Sequence, residues 1–240
     1  MPSYLSADAE LYYEDDGAGF PILFIAPGGM RSAIPLWANA PWHPIDALRD
    51  SYRTIAMDQR NAGQSRGAVA ADHGWHTYRD DQLALLDHLG VERCHLVGMC
   101  IGGSYGLNLL AHAPERFASA VLFQPIGLDG NRDVFHELFD GWAETLEDEH
   151  DAVSPSAWTQ FRSNLFDGDF VFSVSRETVA GINVPLLIPC GEDVYHPRST
   201  SLEIVAQAPR ATLLEPWKTP DAVPSARQTV TDFLARHTPA

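Results

Sequence analysis

The sequence predicts a doubly wound α/β fold: a mostly parallel sheet, helices on both faces, and a helical cap inserted late in the chain. Three observations carry this expectation. Short, continuously apolar runs recur along the 240 residues, as strands covered on both faces require. Amphipathic stretches separate them, giving a strand–helix–strand rhythm. The rhythm breaks once, between Ile126 and Val184, where no strong strand occurs and three helix-like stretches follow one another.

The strands are expected, in order, at Leu11–Tyr13, Pro21–Ala26, Thr54–Asp58, Cys94–Met99, Ala120–Gln124, Pro185–Cys190 and Thr212–Glu215. Asp15-Asp16-Gly17 supplies a turn after the first. Helices are expected at Tyr78–Leu89, where Leu83, Leu86 and Leu89 share a face and Gly90 follows as a cap. Ile101–His112, Leu202–Ala208 and Val223–Arg236 are the others. Within the interruption the helical stretches are Arg132–Leu146, Ser156–Phe166 and Phe170–Ala180, with acidic Glu144–Asp151 as a solvated connection. The domain division is therefore a core of residues 1–125 and 185–240, and a cap of residues 126–184. Most of the eight cap aromatics are expected to pack the cap onto the core, and two or three to reach a ligand.

Net charge narrows the partners. Sixteen basic against 32 acidic side chains leave −16, which opposes nucleic acid, whose phosphates demand Lys and Arg, and anionic membrane surfaces. The longest apolar runs, such as PILFIAP, fall far short of the ~20 residues that span a bilayer. The segment MPSYLSADAELYYEDDG has no signal-peptide pattern, so the expected location is cytoplasmic and the expected partner a small-molecule substrate. Cys94, Cys100 and Cys190 form no C-x-x-C pair, and neither a metal nor a cofactor is expected. Gly98–Gly103 has the wrong spacing for a dinucleotide loop.

The chemistry-bearing segment is His95-Leu-Val-Gly-Met-Cys-Ile-Gly-Gly103. A strand that turns sharply into a helix strains its central residue and projects that side chain outward. The residues two before and two after must be small, and here both are glycine. Cys100 is the central residue, at a helix N-terminus where the dipole favours an anion, so its thiolate, the nucleophilic form, is favoured. Cys94 and Cys190 are expected inside strands and inert.

With this segment the chain resembles the α/β-hydrolase fold family, with Cys where Ser is usual, similar in that respect to dienelactone hydrolase. The resemblance covers nearly the whole sequence. Phe20–Met30 resembles the strand leading to the oxyanion loop, and Met57-Asp-Gln-Arg-Asn-Ala-Gly-Gln-Ser65 resembles the family's D-x-R-G-x-G-x-S segment. Asp80–Gly90 resembles the helix before the nucleophile strand, and Gly191–Pro197 resembles the acid loop, one residue shorter than usual. The resemblance implies Cys100 as nucleophile and Asp193 as acid. It also implies an oxyanion hole from the Ile101 amide plus one of Gly28, Gly29 or Met30, with Gly29 and Met30 preferred. Gly28, Trp75, Gln124 and Trp142 are the expected substrate-lining residues.

One part of the family pattern is absent. The loop after the last strand, Glu215-Pro-Trp-Lys-Thr-Pro-Asp-Ala222, contains no histidine, and His237 beyond it is expected to be solvated. His196 is the preferred replacement base, because it follows Asp193 by three residues; Lys218 and His76 are the alternatives. Asp58 and Arg60 are expected to brace their own loop. Three functions fit: a hydrolase of esters, thioesters or lactones passing through acyl-Cys100; a C–C hydrolase, lyase or cyclase with no covalent intermediate; or a non-catalytic binding protein on a degenerate hydrolase scaffold.

Overall fold

The computed structural model describes residues 2–6 and 8–239. Nine strands form one sheet: β1 (Ser3–Ser6), β2 (Ala9–Asp16), β3 (Pro21–Ile25), β4 (Arg53–Met57), β5 (Arg66–Gly67), β6 (Cys94–Met99), β7 (Phe117–Phe123), β8 (Leu186–Pro189) and β9 (Ala211–Leu214). Their order is β1-β2-β4-β3-β6-β7-β8-β9, with two-residue β5 pairing on β2. β1 and β2 run antiparallel to their neighbours, and pairing from β4 through β9 is parallel. The doubly wound α/β expectation is met.

The continuous apolar runs have the reason anticipated for them. Leu23, Ile25, Leu96, Ala120 and Leu122 point into one core, and Ile22, Phe24, Val97, Val121 and Phe123 into the other. Each fully buried large side chain contributes roughly 1.5–3 kcal/mol, so neither face tolerates a polar alternation. α1 (Pro44–Leu48) and α8 (Val223–His237) cover the second core, while α2 (Trp75–His88) and α3 (Ile101–His112) cover the first.

Between β7 and β8 runs the helical excursion: α4 (Arg132–Ala143), α5 (Pro155–Phe166) and α6 (Arg176–Ala180). α7 (Arg198–Gln207) follows β8. The third predicted helix, Phe170–Ala180, is cut to α6 because Phe170 and Phe172 take φ of 58° and 65°, a left-handed conformation no helix interior accepts. Ser175 then caps the shortened helix through Thr178 N–H. The first predicted helix ends at Ala143 rather than Leu146, and Glu147–Glu149 form a short 3₁₀ turn within the acidic connection.

The excursion lies against the C-terminal edge of the sheet. Trp75 Nε1–H donates to Leu165 O at 2.7 Å, Trp142 Nε1–H to Asn61 O at 3.0 Å, and Ser173 Oγ–H to Ser104 O at 2.7 Å. The Arg31 guanidinium donates to Gly141 O. Its aromatics mostly pack on one another: Trp142 lies 5.3 Å from Phe139 and 6.0 Å from Trp158, ring centre to ring centre.

Candidate active site

Where β6 meets α3 the chain turns through Cys100 at φ 62°, ψ −119°. Backbone crowding explains the flanking glycines. A Cβ on Gly98 would stand 2.7 Å from Gly102 C, and one on Gly102 2.5 Å from Ile25 O. The turn leaves Cys100 partly exposed, at the N-terminus of twelve-residue α3 and in contact with both hydrophobic cores.

His196 and Asp193 stand on the loop after β8. The His196 Nδ1–H faces both Asp193 oxygens, at 2.7 and 2.9 Å. Its other nitrogen, Nε2, is buried and has no hydrogen-bond partner among the described residues; Cys100 lies near enough that each group shifts the other's ionisation. Burial pushes the Cys100 thiol up, but His196, together with the Gly28 and Ile101 amides, outweighs burial and holds it below the usual thiol range. For His196, burial lowers the imidazole, and the opposing pull of Cys100 and Asp193 raises it overall. Asp193 moves the other way: burial raises it, the His196 contacts outweigh that, and the carboxyl sits below its ordinary value. The arrangement favours a thiolate–imidazolium pair oriented by a carboxylate.

The backbone amides of Gly28 and Ile101 stand close enough to the sulfur to help lower its pKa. Of the three residues considered for the first amide, Gly28 is the one brought there, at φ 117°. Gly29 and Met30, the preferred pair, open the 3₁₀ turn Gly29–Arg31.

Other expected residues are engaged elsewhere. Lys218 Nζ pairs with Glu192 Oε1 at 3.0 Å. His76 is exposed and, with Trp75 and Asn108, lines a surface cavity of about 770 Å³ that Cys100 does not border. Trp142 is 1% exposed inside the aromatic cluster. Gln124 is half-buried just past β7, at φ 35°. His237 departs from expectation: it is half-buried, stacked on Phe233 at 4.7 Å, with Nδ1 3.1 Å from Phe233 O. Trp217, next to Lys218, is 2% exposed and donates Nε1–H to Cys190 O at 2.7 Å. An indole thus fills the last loop. Among the described residues no group of three or more His, Cys, Asp or Glu is placed to hold a metal ion, and no helix is long and apolar enough to cross a membrane.

A family model for the alpha/beta hydrolase fold matches residues 21–169. The chain belongs to the α/β-hydrolase fold family. A relative from Azorhizobium caulinodans, provisionally named carbamate hydrolase RutD, is 36% identical over 122 residues, 51% of this chain and 43% of the relative. The uncharacterized carboxylesterase nap of Bacillus subtilis is 26% identical across 68% of this chain and 63% of its own. The match thus spans less than two thirds of either relative. Among solved structures, the enol-lactonase from Burkholderia xenovorans LB400 superposes with a TM-score of 0.68 at 22% identity, over 98% of this chain and all of that one. A meta-cleavage product hydrolase from Pseudomonas fluorescens IP01 gives 0.71 at 19% identity, over 98% of both. At these identities the superpositions speak for the fold alone.

The cysteine environments differ enough to order their reactivity. Cys94 opens β6, fully buried, with its thiol pushed up to about 12 by burial; Cys190, expected inside a strand, stands one residue past β8 where the strand ends at Pro189, and burial raises it too. Limited iodoacetamide treatment at pH 7–8 is expected to label Cys100 first, read by peptide mass mapping. Earlier labelling of either other cysteine would remove Cys100 as the candidate nucleophile.

Proposed function

We propose that the protein hydrolyses an ester, thioester or lactone of a small, largely apolar substrate through an acyl-Cys100 intermediate. The observation that supports this best is the Asp193–His196 pair at 2.7 Å with its buried Nε2 left for Cys100 at the strained elbow, the two groups shifting each other's ionisation. In the first half-reaction the Cys100 thiolate attacks the carbonyl carbon, and the carbonyl oxygen becomes an oxyanion beside the two amides. The intermediate collapses, the carbon–oxygen bond (carbon–sulfur in a thioester) to the leaving group breaks, and His196 gives its Nε2 proton to the departing alkoxide or thiolate. In the second half a water attacks the thioester, its proton passing to His196, and the acid product leaves as the thiolate reforms. Asp193 keeps the Nδ1–H in place throughout.

The excursion supplies the reason for an apolar substrate. It would act as a cap that excludes water. Its three arginines are each engaged: Arg132 with Phe166 O, Arg162 with Asp140, and Arg176 with Asp169 and Glu203. None is left to neutralise a substrate carboxylate, and the net charge of −16 repels one. Two sequence relatives carry the names carbamate hydrolase and carboxylesterase, both of which describe acyl transfer.

A panel of p-nitrophenyl esters tests both parts. Short neutral acyl groups should give a burst of nitrophenolate stoichiometric with enzyme, with the acyl mass added to the Cys100 peptide after acid quench. Esters with a dianionic acyl group should turn over at least ~10-fold more slowly, a barrier difference of about 1.4 kcal/mol or more. Turnover with no adduct would favour the mechanism without a covalent intermediate, and no turnover at all would favour a binding protein.

A further inference from the structure

Asn131 precedes α4 in the position where an asparagine ordinarily caps a helix, yet its side chain makes no capping bond. The carboxamide is used across the chain instead. Nδ2–H donates to Val194 O at 2.6 Å and to Gly127 O at 3.1 Å, while Oδ1 accepts Asp129 N–H at 2.8 Å. With three polar contacts and 8% exposure, this side chain has one orientation available.

Val194 sits in the turn that carries both Asp193 and His196. Backbone bonds close that turn, Asp193 N–H to His196 O at 3.2 Å and His196 N–H to Asp193 O at 3.1 Å. Asp193 Oδ1 additionally takes the N–H groups of Tyr195 and His196. These contacts shape the turn but do not say where it stands relative to Cys100. At its apex Val194 is 53% and Tyr195 39% exposed, and the Tyr195 ring meets Phe135 of α4 edge-on at 6.1 Å. The base of the loop is held by Gly191 N–H on Ser201 Oγ at 3.0 Å. Trp217 Nε1–H on Cys190 O at 2.7 Å and Ser199 Oγ–H on Asp129 at 2.7 Å hold its ends, and its flanks carry the surface ion pairs Glu192 with Lys218 and Arg198 with Glu215, a type worth little. The buried carboxamide of Asn131 is the strong tether at the apex.

We propose that Asn131 is a positioning residue for His196, holding the Asp193–His196 turn against the nucleophile elbow through the Val194 carbonyl. This rests on the reading that His196 serves Cys100. α4, which Asn131 precedes, also packs Leu138 against Gly29, 2.7 Å from where a Cβ would stand. One segment therefore abuts both the loop that carries the base and the loop that carries the Gly28 amide.

The test is the pH profile of Cys100 alkylation by iodoacetamide in the intact protein, for wild type, Asn131→Ala, Asn131→Asp and His196→Ala, with thermal midpoints in parallel. Asn131→Asp keeps the acceptor for Asp129 N–H and nearly the same shape but cannot donate to Val194 O, so it serves where Asn131→Ala fails to fold. Both Asn131 variants should raise the alkylation midpoint part of the way to that of His196→Ala, and slow labelling at pH 7 by about 3- to 10-fold, the scale of one hydrogen bond. A lowered thermal midpoint with a wild-type pH profile in both would overturn the positioning role while leaving His196 in place. A wild-type profile in His196→Ala would instead remove the underlying reading, and this inference with it.

Discussion

Alanine in place of His196 is expected to slow ester turnover by about 10²- to 10⁴-fold, the usual worth of a positioned acid–base group. The same change should raise the pH at which Cys100 becomes a thiolate. The direction follows from the opposing influences on the sulfur. Burial raises the thiol pKa; His196, and with it the Gly28 and Ile101 amides, lowers it below the ordinary thiol value. Removing the imidazole leaves burial opposed by two amides alone, so the midpoint climbs.

In the wild type the thiol pKa is lowered and the imidazole pKa raised, each charged form favouring the other. Alkylation should therefore persist to lower pH than for an ordinary cysteine, and fall away as pH drops through the thiol value. Lys218→Ala is expected to change neither rate nor profile, because that ammonium is held by Glu192. Stopped-time labelling across pH 5–10 on both variants decides between them. A profile altered by Lys218→Ala and untouched by His196→Ala would transfer the base to the last loop.

How much of this was legible beforehand depends on the range of the forces involved. The elbow was legible because crowding at Gly98 and Gly102 is local, and only glycine meets it. The central strands were legible because burial on both faces leaves a run of apolar residues with no other explanation. Edge strand β1, four residues with one side chain buried, and the five-residue α1 are too short for any period to show. Phe170 and Phe172 mislead for a different reason: bulky residues rarely adopt positive φ, and tertiary packing overrides their preference here. The proximity of His196 to Asp193 was inferable from three residues of spacing. The tether from Asn131, 63 residues from Val194, and the burial of Trp217 depend on contacts that no local pattern announces.

The largest stability effect is expected at Arg60, in the segment that resembles D-x-R-G-x-G-x-S. Its side chain is 3% exposed and forks onto Asp81, Nε–H to Oδ2 at 2.8 Å and Nη2–H to Oδ1 at 2.9 Å, while Nη1–H reaches Asp8 at 2.7 Å. One guanidinium thus joins the loop after β4 to α2 and to the β1–β2 turn. Burial already pushes the Asp81 carboxyl above its usual range in spite of Arg60. Arg60→Ala would leave that carboxyl buried without its counter-charge, and is expected to cost about 3–5 kcal/mol of unfolding free energy, measured by urea titration. Replacing both partners, Arg60→Met with Asp81→Leu, should recover most of the loss, since the cost lies in the orphaned charge more than in the missing pair. The loop that Arg60 anchors also bears on the site: Gln59 N–H donates to Ser32 O at 3.0 Å, and Asp58 accepts Ile34 N–H at 2.7 Å. These bonds fasten it to the segment that begins at Gly28. Ester turnover by Arg60→Ala should therefore fall with its folded fraction and return in the double variant. A single variant within 1 kcal/mol of wild type would mean that water or a shifted Asp81 meets the charge, and that the pair braces nothing.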